Sequence, residues 1–271
     1  MNYRHAFHAG NFADCMKHAF LVYLLNSMTR KPGGVFFLDT HAGIGRYDLN
    51  SDEAQRTGEW HQGIARLTNP PPSLAEYVGL VRELGIYPGS PALIRARMRP
   101  QDRLACCELH PDDAAILRRN FGRDAQVSVH RRDAWEALGG LLPPAEKRAL
   151  VLIDPPYEAA DEFERVTEGL KLGMSRMRSA VFAAWYPVKH RTPPRAFHRA
   201  LRESGIRDVV AVELWLRAPL DAARLNGCGL VVVNPPFGFE AAAEQILEDL
   251  ISRLASGEAG AGFSVERLTD E

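Results

Sequence analysis

The residues Asp154-Pro155-Pro156-Tyr157 follow directly on the apolar run Leu150-Val151-Leu152-Ile153. At the end of a buried strand this set forms a socket for a planar base carrying an exocyclic amino group. Such an amino group is a poor nucleophile, because its lone pair is delocalised into the ring. Acceptors around its protons favour the pyramidal form that attacks a methyl group. Asp154 supplies one acceptor and the carbonyl of Pro155 a second. The prolines fix φ at about −65° and donate no N–H, so the carbonyls stay aimed outward, and Tyr157 is placed to stack on the base. A second tetrapeptide, Asn234-Pro235-Pro236-Phe237, follows Leu230-Val231-Val232-Val233 and fits the same description. Pro-Pro is also an ordinary strand stop, so position in the fold must choose between them.

A different chemistry is suggested by Leu38-Asp39-Thr40-His41-Ala42-Gly43-Ile44-Gly45, which puts two glycines in the turn after an apolar strand and lets the backbone approach a ligand closely. The third glycine expected for a pyrophosphate is missing, which disfavours NAD. Glu108 closes the next strand, where a carboxylate can accept from both hydroxyls of a ribose. Asp133 follows the strand after that and can accept from an adenine amino group. Each acid alone is more often a helix cap or a surface charge. The order of glycine turn, two acids and Asp-Pro-Pro-Tyr describes S-adenosylmethionine across strands one to three, beside a target amino group at strand four.

These residues need a frame to hold them. Asn11 can cap a helix running to about Thr29, with Asp14 in its first turn, and Lys31-Pro32-Gly33-Gly34 ends it. Strands are expected at Val35–Leu38, Leu104–Cys107, Val127–Val129, Leu150–Ile153, Val181–Trp185, Val209–Leu216 and Leu230–Val233, with helices over Pro111–Phe121, Glu162–Met177 and Arg195–Ser204. Alternation of this kind predicts a mostly parallel, doubly wound α/β sheet. The gap from Leu38 to Leu104 is roughly twice what a βαβ unit of about 30 residues needs. Residues 50–100 therefore read as a helical insertion over the carboxyl ends of the strands, in an otherwise single domain spanning 1–271, with 1–30 as an N-terminal segment and helix.

The connection Arg217–Gly229 has little helical pattern and suits a chain reversal. Seven strands with an antiparallel last one is the Rossmann-like class I methyltransferase form of the sheet. An antiparallel last strand carries Asn234 to the edge opposite the ligand crevice, which leaves Asp154 as the socket.

The whole chain sets outer limits. Its 271 residues suffice for one large α/β domain with an ample core. It has no stretch of about 18 apolar residues and no apolar signal core at its start, so a soluble cytoplasmic protein without a membrane partner is expected. Cys15, Cys106, Cys107 and Cys228 form no C-x-x-C pair and read as reduced and buried. A net charge of −1 excludes coating of nucleic acid by bulk charge, so any RNA contact must be local. Two basic groups are available: Lys189, His190, Arg191, Arg195, His198, Arg199 and Arg202, and Arg95, Arg97, Arg99 and Arg103. Either is equally read as a solvated helix face. The Gly/Ala-rich tail after Ser256 is expected to be frayed.

The run Tyr3-Arg4-His5-Ala6-Phe7-His8-Ala9-Gly10-Asn11 with Lys17-His18 resembles the start of the RlmJ family of 23S ribosomal RNA adenine-N6 methyltransferases. Leu38–Tyr47, Arg56-Thr57-Gly58-Glu59, Tyr87-Pro88-Gly89-Ser90-Pro91, Glu108-Leu109-His110-Pro111, Ile153–Glu158, Trp185-Tyr186-Pro187 and Asn234-Pro235-Pro236 continue the resemblance over nearly the full chain. It implies methyl transfer from S-adenosyl-L-methionine to N6 of an adenine in 23S ribosomal RNA (adenine 2030). The expected substrate is naked or early-assembly RNA, and the protein is expected to act as a monomer. With the readings above, the candidate site comprises Asp154, Pro155 and Tyr157 for the chemistry. His18, His41, Gly43, Ser90, Glu108, Asp133, Ala134 and Asp154 are the cofactor candidates, and Tyr3, His5 and Lys17 the RNA candidates. Ala134 departs from the glycine of the family pattern, which puts its close packing in question.

His5, His8, His18 and His41 lack compact ligand spacing and a Cys partner, so a metal is not expected. Lys17 reads equally as a surface charge of the first helix. DNA adenine or protein-glutamine methylation would share the socket, an NAD-dependent oxidoreductase would share the sheet, and a non-catalytic RNA-binding protein would share the basic groups.

Overall fold

The computed structural model describes residues 4–271. Its first long element is α1 (Phe12–Thr29), entered through Asn11, whose side chain accepts the Asp14 N–H at 2.9 Å and so satisfies one orphan donor of the first turn. The strands of the main sheet are β1 (Phe36–Asp39), β2 (Arg103–Cys107), β3 (Val127–His130), β4 (Ala149–Ile153), β5 (Val181–Val188), β6 (Val209–Trp215), β7 (Gly227–Val233) and β8 (Gly262–Thr269). After α1 come α2 (Asp52–Thr57), α3 (Pro72–Leu84), α4 (Ser90–Arg97), α5 (Pro111–Phe121), α6 (Ala134–Leu141), α7 (Glu162–Arg176), α8 (Thr192–Glu203) and α9 (Phe239–Leu254).

Strand order across the sheet is β8-β6-β7-β5-β4-β1-β2-β3. The pairs β1·β2, β1·β4, β2·β3 and β4·β5 are parallel, whereas β7 runs antiparallel to both β5 and β6. Alternate strand residues feed two cores, as the strand period of two requires. Phe37, Leu104, Leu150 and Val232 pack under α1, α3, α4, α5 and α9 on one face. Leu38, Ala105, Val151 and Val231 pack under α6, α7 and α8 on the other.

Two expectations are corrected here. The sheet has eight strands, not seven, because Gly262–Thr269 pairs antiparallel with Trp215–Val209 and covers the β6 edge. The segment after Ser256 is thus an ordered edge strand in most of its length; the alternation Phe263-Ser264-Val265-Glu266 that pairs it is short and was masked by Gly257, Gly260 and Gly262. The antiparallel strand β7 also begins at Gly227, three residues before its apolar run. A Cβ at Gly229 would lie 2.2 Å from Tyr186 Cζ, so glycine there admits the tyrosine ring and is no sign of a loop.

Of the inserted residues between β1 and β2, α3 and α4 pack beside α1 on the face of the sheet, and α3 also meets α9. Only the segments near Thr57–Gln62 and Gly89–Ser90 reach the carboxyl ends of the strands. A short ribbon pairs Arg46–Tyr47 with Tyr87–Pro88 and ties the glycine turn to the start of α4.

Register settles the two tetrapeptides. Val233 pairs with Phe182 and Val209, at the amino ends of β5 and β6, and the Asn234 amide donates to the carbonyls of Arg178 (2.8 Å) and Ala180 (2.7 Å). Asn234 therefore lies at the edge opposite the crevice. Asp154 leaves the carboxyl end of β4 beside the turn that follows β1.

Candidate active site

At the carboxyl ends of β1 to β5 lies a cavity of about 900 Å³. Into its wall the fold brings His5, Lys17, His18, His41, Gly43, Ser90, Glu108, Asp133, Ala134, Asp154, Pro155 and Tyr157. Tyr3 lies outside the described residues.

One half of the cavity is built from β1, β2 and β3. Gly43 sits at φ 56° with no room for a side chain, since a Cβ would fall 2.4 Å from Tyr47 Oη. Its N–H donates to Glu108 Oε2 at 2.9 Å, and the N–H of His110 donates to Glu108 Oε1 at 2.8 Å. Each carboxylate oxygen keeps a lone pair toward the cavity. Burial raises the Glu108 carboxyl above the usual carboxylate range, against the pull of those two N–H groups. Asp133 caps α6: its Oδ1 accepts from Trp135 N (2.9 Å) and Glu136 N (3.2 Å), which leaves Oδ2 as an acceptor. The cap reading and the pocket reading of Asp133 are thus both true of one side chain.

Two histidines line the floor as neutral polar groups. His18 hydrogen-bonds through Nδ1 to Tyr87 Oη at 3.0 Å, and Tyr87 in turn meets Tyr77 Oη at 3.1 Å. Burial pushes His18 down to about 3, more than Asp14 nearby can offset. His41 Nδ1 lies 2.8 Å from Thr40 Oγ1 and 3.3 Å from the Asp154 nitrogen, joining the β1 and β4 turns; burial pushes it down to about 4.

The other half holds the socket. Lys17 is no surface charge: it is 5% exposed, and its Nζ reaches Asp154 Oδ2 at 2.6 Å and Asp14 Oδ1 at 3.0 Å. Asp14 Oδ2 accepts from Gly10 N at 3.0 Å and faces His5 Nε2 at 2.9 Å. Burial works to raise Asp14, yet the charges of His5 and Lys17 hold it well below the usual carboxylate range. Tyr157, at φ 51°, donates its hydroxyl to the Trp185 carbonyl at 2.9 Å and meets the rings of Phe163 (4.9 Å) and Trp185 (5.9 Å) edge-on. A side chain held in the left-handed region by such contacts is a strained, over-determined position of the kind that marks sites.

Residues in the wall and behind it escaped the sequence reading. Asp39, at the end of β1, is fully buried and raised to about 7, chiefly by burial. The far wall comes from Trp185 and Pro187 in the carboxyl half of β5, from Lys189 just after it, and from Arg217, Arg224 and Leu225 in the β6–β7 connection. The fully buried Asn226 joins these two segments, donating Nδ2 to the carbonyls of Lys189 and Asp221, both at 2.7 Å. Only the i,i+3 spacing of Asp14 and Lys17 was visible beforehand as a signal for their pairing. All four cysteines are free and buried, and no metal-ligand cluster occurs among the described residues.

A doubly wound sheet with an antiparallel β7, a glycine turn against Glu108 and an Asp-Pro-Pro-Tyr corner at β4 define a class I S-adenosylmethionine-dependent methyltransferase. Residues 32–268 match the family model described as ribosomal RNA large subunit methyltransferase D, RlmJ. The chain belongs to that family. It is 39% identical to ribosomal RNA large subunit methyltransferase J of Haemophilus influenzae over 281 aligned positions, covering 100% of both chains. To the Escherichia coli protein of the same name it is 38% identical over 269, covering 96% of each. A crystal structure of protein LPL1258 from Legionella pneumophila superposes with a TM-score of 0.88 at 34% identity, covering 96% of this chain and 98% of that one.

Proposed function

We propose that this chain transfers the methyl group of S-adenosyl-L-methionine to the exocyclic N6 of an adenine in 23S ribosomal RNA. The observation that carries the reading is the Lys17–Asp154 pair, at 2.6 Å, inside a cavity that also holds Gly43, Glu108 and Asp133. The relatives named as large-subunit ribosomal RNA methyltransferases support the substrate class.

The cofactor supplies an electrophilic methyl on a sulfonium. Glu108 would accept from ribose hydroxyls through its two remaining lone pairs, Asp133 Oδ2 would accept from the adenine amino group, and the Gly43 backbone would pack against the cofactor. His18, within α1, and Ser90, at the start of α4, would hold its polar end. Asp154 Oδ2 is engaged by Lys17, which fixes the carboxylate and leaves Oδ1 to accept a hydrogen bond from the target amine. The Pro155 carbonyl accepts a second, which favours the pyramidal nitrogen; as the nitrogen gains the methyl, the carbon–sulfur bond would break to leave a thioether, and the one proton released would pass by way of Asp154 to water. The ring of Tyr157, anchored by its hydroxyl, stacks on the unpaired base. His5, in the cavity wall, contacts the RNA, the role that the family resemblance also implies for Tyr3. The reading includes work in the cytoplasm, as a monomer, on free or early-assembly RNA. No helix among the described residues is long and apolar enough to cross a membrane.

The test is Asp154→Ala, with turnover followed by labelled methyl incorporation into undermodified 23S ribosomal RNA and cofactor binding by calorimetry. Turnover falls at least about a thousandfold while binding persists. Turnover near that of the wild type refutes the role of Asp154. Incorporation into DNA or protein glutamine in place of RNA refutes the substrate, and mapping the labelled nucleotide identifies the target.

A further inference from the structure

We propose that the outer face of α8, with Lys189 at its head, carries the RNA backbone on one side of the target adenine. This rests on the RNA reading above and adds to it the path of the strand. The structure divides the basic cluster 189–202 into spent and unspent charges. His198 is buried against Tyr186 Oη at 2.8 Å, Arg202 pairs with Glu266, and the Arg191 guanidinium lies over the Trp215 ring at 4.8 Å. Lys189, Arg195 and Arg199 are exposed, and their side chains make no hydrogen bond or ion pair among the described residues.

These three charges are continuous with the site. Lys189 lines the cavity on the socket side, past Trp185 and Pro187, and Asn226 holds its carbonyl against the β6–β7 connection. From there Arg191, the N-cap, and Arg195 and Arg199 repeat at i,i+4 along one side of α8, beside the face that Pro194, Phe197, His198 and Leu201 bury. At about 1.5 Å per residue the stripe from Arg191 to Arg199 is about 12 Å long.

Helix stability does not account for the placement. The first turn of α8 contains no acid, and Arg191 and Arg195 stand at the end where a cation opposes the helix dipole. Of the nearby acids, Glu213 accepts from Tyr186 Oη at 3.0 Å and feels Arg191 and Arg195 only through space, Glu266 holds Arg202, and the exposed Glu203, one turn after Arg199, makes no ion pair with it. The competing basic surface is a cleft beyond the cofactor half, lined by Arg118, His130, Arg131 and Arg132. It also carries Asp133 and Glu136, and Arg132 lies 3.7 Å from Glu136. Its charges are mixed and it adjoins the wrong half of the cavity.

The experiment measures the affinity of a labelled RNA hairpin with one unpaired adenine over a series of salt concentrations, for the full chain and its variants. R195E/R199E raises Kd about tenfold or more near 0.1 M salt, and the slope of log K against log salt falls by about two. R195Q/R199Q, which avoids repulsion, gives the same fall in slope, and R195K/R199K restores it. R118E/R131E leaves the slope as in the wild type. A wild-type Kd and slope for both R195E/R199E and R195Q/R199Q overturn the proposal, as does a loss confined to R118E/R131E. Because binding is read without turnover, a wild-type chain that binds the hairpin yet methylates no RNA refutes the proposed function and leaves the path standing.

Discussion

Lys17 shows how one residue can belong to stability and chemistry at once. Its ammonium is nearly excluded from water and is shared by Asp14, 2% exposed, and Asp154, whose side chain is 17% exposed. Removing one member of a buried ionic group strands the others, at a cost of about 3–5 kcal/mol, with the lower end apt here because His5 still faces Asp14. Lys17→Met therefore loses about 3 kcal/mol of stability, read as a lower urea midpoint at unchanged slope. Its turnover falls as well, since Asp154 loses the group that orients it. An unaltered midpoint would show that the pair is not what holds α1 against the β4 turn. The meeting of Asp154, Glu108 and Asp133 in one cavity was legible in the sequence because each follows an apolar strand. The pairing of Lys17 with a residue 137 positions away was not, because helix periodicity gives the face of a side chain and not what another element brings to it.

Elements place these residues, and β8 protects the sheet edge that β6 would otherwise present. Its ladder covers β6 from Val209 to Trp215, and Arg267 adds salt bridges to Asp208 (2.8 Å) and Glu240 (2.9 Å). Without β8 the row of N–H and C=O groups on β6 becomes a template for pairing between chains. A chain truncated after residue 260 is expected to self-associate, with light scattering rising at micromolar concentration, whereas the full chain stays unassociated. A truncated chain that remained dispersed would show that α9 alone shields the edge. The strands and helices were largely readable from period and punctuation: Pro111–Phe121 was placed to the residue and Asn11 is the cap it promised. What failed were glycine-rich stretches. Gly227 and Gly229 are in β7 to make room for side chains of β5 and β6, and the glycines before Phe263 hid a strand, because glycine signals both a turn and a close approach.

For the molecule as a whole, a net charge of −1 makes its response to pH depend on a few buried groups. Burial lowers His198 to about 4, as it lowers His18 to about 3 and His41 to about 4, while raising Asp39 to about 7. The unfolded histidines take up protons as pH falls through about 6.5, where the folded ones do not, so stability falls with pH from about 6.5 to about 4. Asp39 has the opposite sign. Its folded form keeps a proton that the unfolded chain has lost above about 4, so its favourable contribution is complete below that value and is lost as pH rises through about 7. His198→Gln retains an N–H donor for Tyr186 Oη but cannot be protonated, so it should narrow the difference in melting temperature between pH 7.5 and pH 5. Asp39→Asn should raise the melting temperature at pH 8 and give no such gain at pH 4. Melting temperatures of the wild type and both variants across pH 4 to 8 check the signs separately. Parallel profiles, displaced by the same amount at every pH, would mean that neither group changes its proton affinity on folding.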